Sequence, residues 1–261
     1  LGNQSKVIRE YLIMGKVDEY RKILKGLVDW DQYLIDESGL PGPRANLELA
    51  EAVSQEGDLE RFRRYLAYGP EDAPYGSALE FLPVCGAIGL GRVLSEGRLD
   101  IIEELRSHAS DSRWRIREGV AIALQKFGDK DIDRLLSEME IWSRGNLLER
   151  RAAIASLCEP RLLKKPGSVQ IVLDILDQVT KDILIEANRK TDEFIALRKA
   201  LGYCWSVAAV AAPEEGKKLF GKWFVNKDKD IRWIMKENLK KNRLMKMDPD
   251  WTEHWQTKLS E

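Results

Sequence analysis

The sequence contains an internal repeat, and a repeat period of roughly 20 to 50 residues constrains a fold more strongly than any other sequence feature. The two clearest copies are DSRWRIREGVAIALQKFGD, which begins at Asp111, and NKDKDIRWIMKENLKKN, which begins at Asn226. When Arg117 is aligned with Arg232, a leucine follows seven residues later in both copies and an isoleucine precedes each arginine. The match predicts a stack of similar structural units.

Further copies fit the same frame more loosely. Two of them run from Arg150 to Leu157 and from Arg198 to Trp205. The arginines of the four copies are separated by 33, 48 and 34 residues, so the longer interval predicts an insertion, which we assign to VTKDILIEANRKTD. Counting back 34 residues from Arg117 reaches Pro83, in the apolar segment FLPVCGAIGLG, which predicts a degenerate fifth copy.

Each copy has the pattern of an amphipathic helix. In the unit that begins at Asp111, apolar residues recur at the helical period and form one stripe: Ile116, Val120, Ala123, Leu124 and Phe127. Asp111 or Ser112 is expected to cap this helix and Gly128 to end it. A second stripe predicts a partner helix from about Asp131 to Trp142, so the repeating unit is a helical hairpin.

The rest of the chain is predicted to be helical as well. Similar partner helices are expected at residues 98–108, 168–180, 213–223 and 249–259. Before about Tyr75, helical patterns occur at 6–14, 17–28, 45–54 and 58–68, with Gly- and Pro-rich loops at 39–43 and 69–74. No period-2 stretch of β-branched residues lies between turn signals, so the fold class is all-α. We interpret residues 1–74 as an N-terminal helical cap on the repeats of residues 75–261, in one continuous solenoid.

The repeated frame resembles a known signature. An Asp six residues before an Arg, a Leu seven residues after it and a following Gly-Asp are similar to the HEAT repeat, and the best copy is Asp111–Asp129. The resemblance covers roughly Tyr75 to Leu259. It implies a right-handed α-α superhelix of helical pairs, with a concave face lined by one helix of each pair, and it implies no activity.

A narrower resemblance concerns the segments ERRAAIASL, at Glu149–Leu157, and RKALGY, which begins at Arg198. They are similar to segments of the HEAT-like alkylpurine DNA glycosylases of the DNA alkylation repair family. In that family a double arginine and a K-A-I-G-W segment line the DNA-binding concave surface. The resemblance implies that role for Arg150, Arg151 and Lys199, whereas Tyr203 stands where the family has Trp.

The catalytic Asp of that family has no counterpart in this sequence. Trp114 is present, but the acidic residue four positions later is Glu118. A glycosylase needs a carboxylate beside the sugar to stabilise oxocarbenium charge. We therefore assign no catalytic residue, and the candidates for the concave binding face are Trp114, Glu118, Arg150, Arg151, Arg198, Lys199 and Tyr203.

The repeat arginines allow two interpretations. In HEAT repeats an arginine at this position commonly pairs with an Asp or a carbonyl of the adjacent repeat, which would apply to Arg117, Arg150, Arg198 and Arg232. Alternatively, Arg151 and Arg198 point into the groove, where a planar guanidinium suits phosphate groups.

Other kinds of chemistry lack a sequence pattern. His108 and His254 are far apart and neither lies in a zinc-ligand spacing, so we expect no metal and no cofactor. No nucleophile lies beside a base in a recognised motif. The glycines 86, 89 and 91 follow no strand, so close helix packing explains them better than phosphate binding. The scattered Cys85, Cys158 and Cys204 are typical of core thiols in a reducing compartment.

Charge does not identify the partner. The formal net charge is -1, yet the stretch from Lys217 to Lys246 contains eleven basic residues against three acidic ones. Such a surface attracts nucleic acid or an acidic protein, or is a solvated helix face. The longest apolar run, from Phe81 to Leu90, is too short to span a bilayer, and the N-terminus has no signal-peptide pattern. We expect a cytoplasmic protein that does not enter a membrane.

Tryptophans divide into two groups. Those on repeat helices are interpreted as bulky packing between repeats: Trp114, Trp205, Trp223 and Trp233. Trp251 and Trp255 lie four residues apart on the last predicted helix, where they either cover the end of the core or form a partner patch.

Three hypotheses of function follow, and the third is a structural subunit that dimerises through its Trp251 and Trp255 end. The first is a non-enzymatic scaffold that binds an extended protein segment or a nucleic-acid backbone on its concave face. The second is a DNA-binding protein or base-excision glycosylase of the HEAT-like type, which predicts that Trp114, Glu118, Arg151 and Tyr203 converge on one groove.

Overall fold

The computed structural model describes residues 15–260, and its side chains from residue 15 to residue 259. Within that range the regular secondary structure is helical and no strand occurs, which confirms the all-α class. The helix predicted at residues 6–14 lies outside the described residues.

Residues 15–26 form the first helix, α1. The α-helices that follow are α2 (Asp31–Asp36), α3 (Leu47–Glu56), α4 (Leu59–Leu66), α5 (Phe81–Ser95), α6 (Ile101–His108), α7 (Trp114–Lys130), α8 (Ile132–Trp142), α9 (Leu147–Leu157), α10 (Pro166–Ile183), α11 (Asp192–Ala211), α12 (Pro213–Phe224), α13 (Lys229–Leu239), α14 (Asn242–Met247) and α15 (Pro249–Ser260). A 3-10 turn, Ala78–Glu80, leads into α5. The described helices form two compact units that divide between Lys126 and Phe127, which we call unit 1 and unit 2.

The central helix of unit 1 is α5. Every residue from Phe81 to Gly91 is buried, and α5 packs against α2, α3, α4 and α6. A Cβ atom added at Gly89 would lie 2.4 Å from the Phe62 ring, and one at Gly91 would lie 2.4 Å from Ala123 Cα. Larger residues would push α4 and α7 away from α5. This confirms that close helix packing explains these glycines.

Charged side chains fix the loops of unit 1. Asp31, at the start of α2, accepts hydrogen bonds from the Arg64 guanidinium at 2.6 and 2.9 Å and from the Tyr65 hydroxyl at 2.9 Å. The hydrogen bonds from Arg64 lower the pKa of Asp31 below its ordinary value, although partial burial opposes them. Arg113 is only 3% exposed and donates to three carbonyls of the loop before α5, those of Tyr68, Gly69 and Ala73.

Unit 2 contains two rows of helices. Helices α9, α11 and α13 pack side by side with α11 in the middle, and α8, α10 and α12 pack against that row. Between the rows, the Trp205 ring of α11 stacks on Phe220 of α12 at 5.3 Å, and its Nε1 donates to Thr180 Oγ1 of α10 at 2.9 Å. A buried indole needs such a partner for its N–H. The helices alternate between the rows along the chain, as successive helical hairpins do.

One predicted helix start and one predicted helix end show where the sequence signals succeed and fail. The helix predicted from Asp131 is α8, and the Asp131 side chain accepts a hydrogen bond from Arg134 N as its N-cap. The end predicted for α7 at Gly128 is wrong, because α7 continues to Lys130. Gly128 is buried, and a Cβ atom there would lie 2.6 Å from Leu135 Cδ2, so packing explains it. Asp111 accepts from Arg113 N, ahead of the first turn of α7.

The C-terminus of α9 is completed by side chains of α11. The Tyr203 hydroxyl donates to Cys158 O at 2.8 Å, and Cys204 Sγ lies 3.4 Å from Ile154 O. The last carbonyls of a helix lack a partner within the helix, and the Tyr203 hydroxyl supplies one for Cys158 O; Ile154 O already accepts from Cys158 N at 3.0 Å, so the Cys204 thiol adds a second contact there. Cys85, Cys158 and Cys204 are all buried free thiols, as predicted for core residues.

The last helix covers one end of the unit 2 core. Trp255 stacks on Phe224 at 4.6 Å, and Trp251 contacts the same ring edge-on at 5.5 Å. Both tryptophans are half-buried. This supports the interpretation in which they cover the core.

Two helical segments are long and apolar enough to span a membrane by length and composition alone. They are Ala78–Ser95 and Asp192–Ala211, and 78% and 56% of their apolar windows are buried within the protein. The central helices of a protein core have the same character, so this finding is weak evidence for a membrane span.

Candidate binding site

Trp114 and Glu118, two of the predicted site residues, line one pocket in unit 1. Together with Ile122 they form a stripe at i, i+4 and i+8 along α7, since residues at that spacing share a helix face. The pocket has a volume of about 380 Å³. Its other walls are the 43–45 loop, Leu47 and Glu48 at the start of α3, Val84 of α5, and Arg115 and Gly119 of α7. We call it the α7 pocket.

Apolar side chains at the pocket are unusually exposed. Trp114 is 42% exposed and Leu47 is 49% exposed. Tyr75, whose hydroxyl accepts a hydrogen bond from Trp114 Nε1 at 3.3 Å, is 64% exposed. The interpretation of Trp114 as core packing is therefore wrong, because α7 begins at this residue and turns it towards the pocket.

The indole is supported by a buried ion pair. Arg115 Nη1 donates to Glu80 Oε2 at 3.1 Å, and the two side chains are 8% and 0% exposed. Glu80 Oε2 also accepts from Gly76 N at 2.8 Å, and Arg115 Nη2 donates to Gly42 O at 3.3 Å. Gly76 has a φ of 79°, a conformation that glycine adopts without strain.

The same guanidinium lies against two aromatic rings. Its central carbon is 4.7 Å from the centroid of Trp114 and 5.5 Å from that of Tyr75. Within residues 15–260, Arg115 Nε and Glu80 Oε1 are buried and make no hydrogen bond. The ion pair is thus only partly satisfied, and contacts between cation and ring add to it.

The remaining predicted site residues belong to unit 2. Arg150, in the first turn of α9, donates through Nε to Gly145 O at 2.8 Å and lies 3.6 Å from Asp182. Arg151, the next residue, is half-buried. Both guanidinium groups project from the N-terminal half of α9, and that of Arg150 binds groups of its own unit.

Arg198 is held in a charge network between α11 and α13. Its Nη1 donates to Asp230 Oδ1 at 2.6 Å, and its guanidinium lies 4.6 Å from the Trp233 ring. Asp230 is 3% exposed and also accepts from Arg189 at 3.2 Å. Lys199, the next residue on α11, is exposed.

Tyr203 is occupied by contacts within unit 2. Besides the hydrogen bond to Cys158 O, its ring lies 5.4 Å from the Arg243 guanidinium. Burial raises the pKa of Tyr203, and the nearby thiols of Cys204 and Cys158 act in the same direction. The phenol therefore stays neutral and serves as a hydrogen-bond donor.

The repeat arginines bind carbonyls and carboxylates. Arg198 reaches Asp230 of the next repeat, and Arg232 donates to Leu259 O at 3.1 Å, as the pairing interpretation predicts. Arg117 instead binds Asp111 O at 2.6 Å and Ser112 O at 2.8 Å, in the loop before its own helix. Arg150 follows the same local pattern with Gly145 O. The sequence repeat predicts the position of each arginine, but it does not predict which carbonyl or carboxylate that arginine binds.

The predicted site residues fall into two groups. Trp114 and Glu118 share the α7 pocket, and the other five residues lie on α9 and α11 of unit 2. Sequence reasoning missed Arg115, Glu80 and Tyr75, which support the pocket. Arg115 and Glu80 are 35 residues apart, so their pairing leaves no local signal.

A metal ion or a reactive histidine needs a particular arrangement of side chains around it. Among residues 15–260, no group of three or more His, Cys, Asp and Glu side chains is placed to hold a metal ion. His108 is half-buried, and burial lowers its pKa, although Asp111 and Glu104 oppose this. Neither histidine lines the α7 pocket.

Comparisons with protein-family models, with curated protein sequences and with solved structures find no match for this chain.

Proposed function

We propose that the chain is a non-enzymatic binding scaffold of HEAT-like helical pairs that recognises an extended protein segment. The observation that carries the proposal is the two-row arrangement of unit 2, with α9, α11 and α13 side by side. Such a row offers a long, rigid surface, as stacked helical repeats do. The right-handed superhelix of HEAT repeats is part of this proposal.

The contacts of the arginines favour a protein partner over a nucleic-acid backbone. An arginine whose charge is already balanced by a nearby acid attracts phosphate less strongly than an unpaired arginine. Arg198 donates to the buried Asp230, and Arg150 lies near Asp182, so both cations are balanced by acids of their own unit. Recruiting Arg198 to a phosphate would remove one of the two arginines that balance the buried Asp230, and recruiting Arg150 would remove the arginine near Asp182.

The basic stretch from Lys217 to Lys246 is also partly neutralised. Lys217 pairs with Asp248 at 3.1 Å, Lys222 donates to Asp177 at 2.6 Å, and Lys240 pairs with Glu237. Besides the paired Lys222 and Lys240, five lysines of the stretch are exposed: Lys218, Lys227, Lys229, Lys236 and Lys246. The charge left at the surface suits an acidic protein segment better than a strongly basic one.

Selection of random linear peptides on the full chain tests the proposal. We expect enriched peptides whose binding weakens when Lys199 of the α11 row is changed to Glu. The matched control is Lys181→Glu, at an exposed lysine of α10, which belongs to the other row and lies outside the basic stretch. The proposal fails if no peptide is enriched while the chain binds duplex DNA at low salt and releases it as salt rises.

A second candidate is a base-excision glycosylase of the HEAT-like type. It is supported by the α7 pocket, where an exposed indole and the Glu118 carboxylate line one opening. A carboxylate beside an aromatic surface is chemically suited to stabilising an oxocarbenium-like sugar. The engaged Arg150, Arg198 and Tyr203 argue against it, because the family resemblance gives DNA-binding roles to this part of the chain.

Release of a base from an alkylated duplex distinguishes the two functions. A glycosylase would release the base, and Glu118→Gln would abolish the release without changing the melting temperature. Our proposal predicts that wild type and Glu118→Gln release the base equally slowly, at the rate of buffer alone.

A further inference from the structure

We propose that the α7 pocket binds one aromatic side chain of the partner protein and is the anchor point of the scaffold. The inference rests on the proposed function, because it assumes a protein segment as the partner. It adds the chemical class of the side chain and the residues that select it.

The size of the pocket suits a single side chain. A volume of about 380 Å³ is near the lower end of the roughly 300–1,000 Å³ typical of small-molecule sites. The walls at Leu47, Val84 and Ile122 are apolar, so burial of a large apolar group is the dominant favourable contribution to binding. One buried side chain in a pocket is the usual form of an interface hot spot.

The charges of the lining select neither an anion nor a cation. The pocket contains two arginines, Arg44 and Arg115, and two glutamates, Glu48 and Glu118. Arg115 is already paired with the buried Glu80. A phosphate would lie near the carboxylates and a lysine near the guanidinium groups, so an uncharged group fits best.

The aromatic groups favour a ring over an aliphatic chain. The Trp114 indole is 42% exposed, and it is held in place by its hydrogen bond to the Tyr75 hydroxyl at 3.3 Å. Its ring already contacts the Arg115 guanidinium, which also lines the pocket. A second ring can stack against the indole or lie over the guanidinium, and both contacts are favourable. Trp, Tyr and Arg are also the residues enriched at hot spots.

The support of the indole is rigid. Arg115, which lines the pocket, is held by Glu80 and Gly42 O, and Glu80 is held by Gly76 N, so Arg115 cannot shift without breaking a buried ion pair. A preorganised pocket binds without the cost of ordering its own side chains. The exposed apolar area at Trp114 and Leu47 is thus maintained by the fold.

The experiment uses small probes on the full chain, followed by proton–nitrogen NMR. The probes are N-acetyl-tryptophan amide, N-acetyl-leucine amide, N-acetyl-lysine amide and 9-methyladenine. The indole N–H signal of Trp114 is identified by its loss in Trp114→Phe. We expect the tryptophan probe to shift that signal and to bind at least about fivefold more tightly than the leucine or lysine probe.

Variants of the pocket locate the site. Trp114→Ala and Leu47→Ser are expected to weaken binding of the tryptophan probe roughly tenfold or more, as hot-spot substitutions do. Both positions are about half exposed, so the fold tolerates the changes. Ile141→Ala, at a residue of unit 2 that is 54% exposed, is the matched control and should not change binding.

The outcomes separate this inference from the proposed function. If selected peptides bind but neither they nor the probes shift the Trp114 signal, the scaffold stands and the anchor pocket is refuted. If the tryptophan probe binds as expected but no peptide is selected, the aromatic site stands and the protein-segment function is refuted. Preference for the leucine or lysine probe overturns the aromatic assignment, and preference for 9-methyladenine overturns both proposals.

Discussion

Replacing Glu80 with glutamine removes the buried negative charge beneath the α7 pocket while keeping the shape of the side chain. The amide of the Glu80→Gln variant retains an oxygen for the Gly76 N–H, so the change isolates the ion pair with Arg115. The same oxygen position accepts from Arg115 Nη1, so the guanidinium would keep that hydrogen bond and the one to Gly42 O, at 3.3 Å, but lose its counter-charge. Removing one partner of a buried pair typically costs about 3–5 kcal/mol.

The contacts of Arg115 with Trp114 and Tyr75 persist in the variant, so we expect the lower end, about 3 kcal/mol. Urea unfolding at pH 7, followed by circular dichroism, measures the cost. If the free energy of unfolding falls by roughly 2 kcal/mol per molar urea, the urea concentration at the midpoint of the unit 1 transition falls by about 1.5 M. Because the chain forms two compact units, the indole signal of Trp114 is followed in the same titration to assign the transition.

Two further variants make this prediction specific. Glu104→Gln removes the partner of Arg63 in a surface pair whose side chains are 25% and 48% exposed, and it should cost less than about 1 kcal/mol. Replacing both Glu80 and Arg115 with methionine should recover most of the stability, because an apolar pair leaves no unpaired charge. If Glu80→Gln costs no more than Glu104→Gln, the buried pair does not support the pocket, and the reasoning is refuted.

Three other predictions concern packing and charge. Gly91→Ala should destabilise unit 1 by about 1–3 kcal/mol, because the added Cβ would overlap α7. Gly221→Ala has open space around the added Cβ and should stabilise unit 2 by about 0.5–1 kcal/mol. The melting temperatures of the two variants and the wild type test both predictions. Asp230→Ala should lower the stability of unit 2 by about 2–4 kcal/mol, because two arginines lose a buried acceptor, and a cost under about 1 kcal/mol in urea unfolding contradicts this. The pKa of Asp31 is lower in the folded chain than in the unfolded chain, where it is near 4, so the ionised carboxylate stabilises the fold above about pH 4. This stabilisation is lost as the pH falls through the folded-state pKa. Asp31→Asn should therefore lose less stability than the wild type on acidification, as measured by urea unfolding between about pH 5 and pH 2.

Local signals account for the parts of the fold that the sequence predicted. Asp131 and Pro213 mark helix starts that the structure has at the same places, since a capping carboxylate and a proline at the first turn act within a few residues. Gly128 carries the same kind of local signal but was misleading, because its role depends on Leu135, a residue of another helix. A glycine at a close contact and a glycine at a helix end look alike in a sequence.

The candidate site depended more heavily on contacts between distant residues. Trp114 and Glu118 were predicted as site residues, and their spacing along α7 places them at one pocket. The buried ion pair between Glu80 and Arg115 joins residues that no sequence repeat or helical period relates. Gly76, whose N–H binds Glu80, lies in a loop. Periodicity predicts which face of a helix is apolar. It does not predict which buried charge lies beneath an exposed indole.

The contacts at the end of α9 have a consequence for dividing or recombining this chain. Tyr203 and Cys204 of α11 bind the carbonyls of Cys158 and Ile154, so the earlier repeat is terminated by atoms that the later repeat supplies. A shortened chain cut between α9 and α11 would keep all residues of α9 yet lose the hydroxyl that binds Cys158 O. Shuffling repeats of this protein would therefore require a tyrosine at the matching position of each new neighbour, and the smallest exchangeable module is a junction between two repeats.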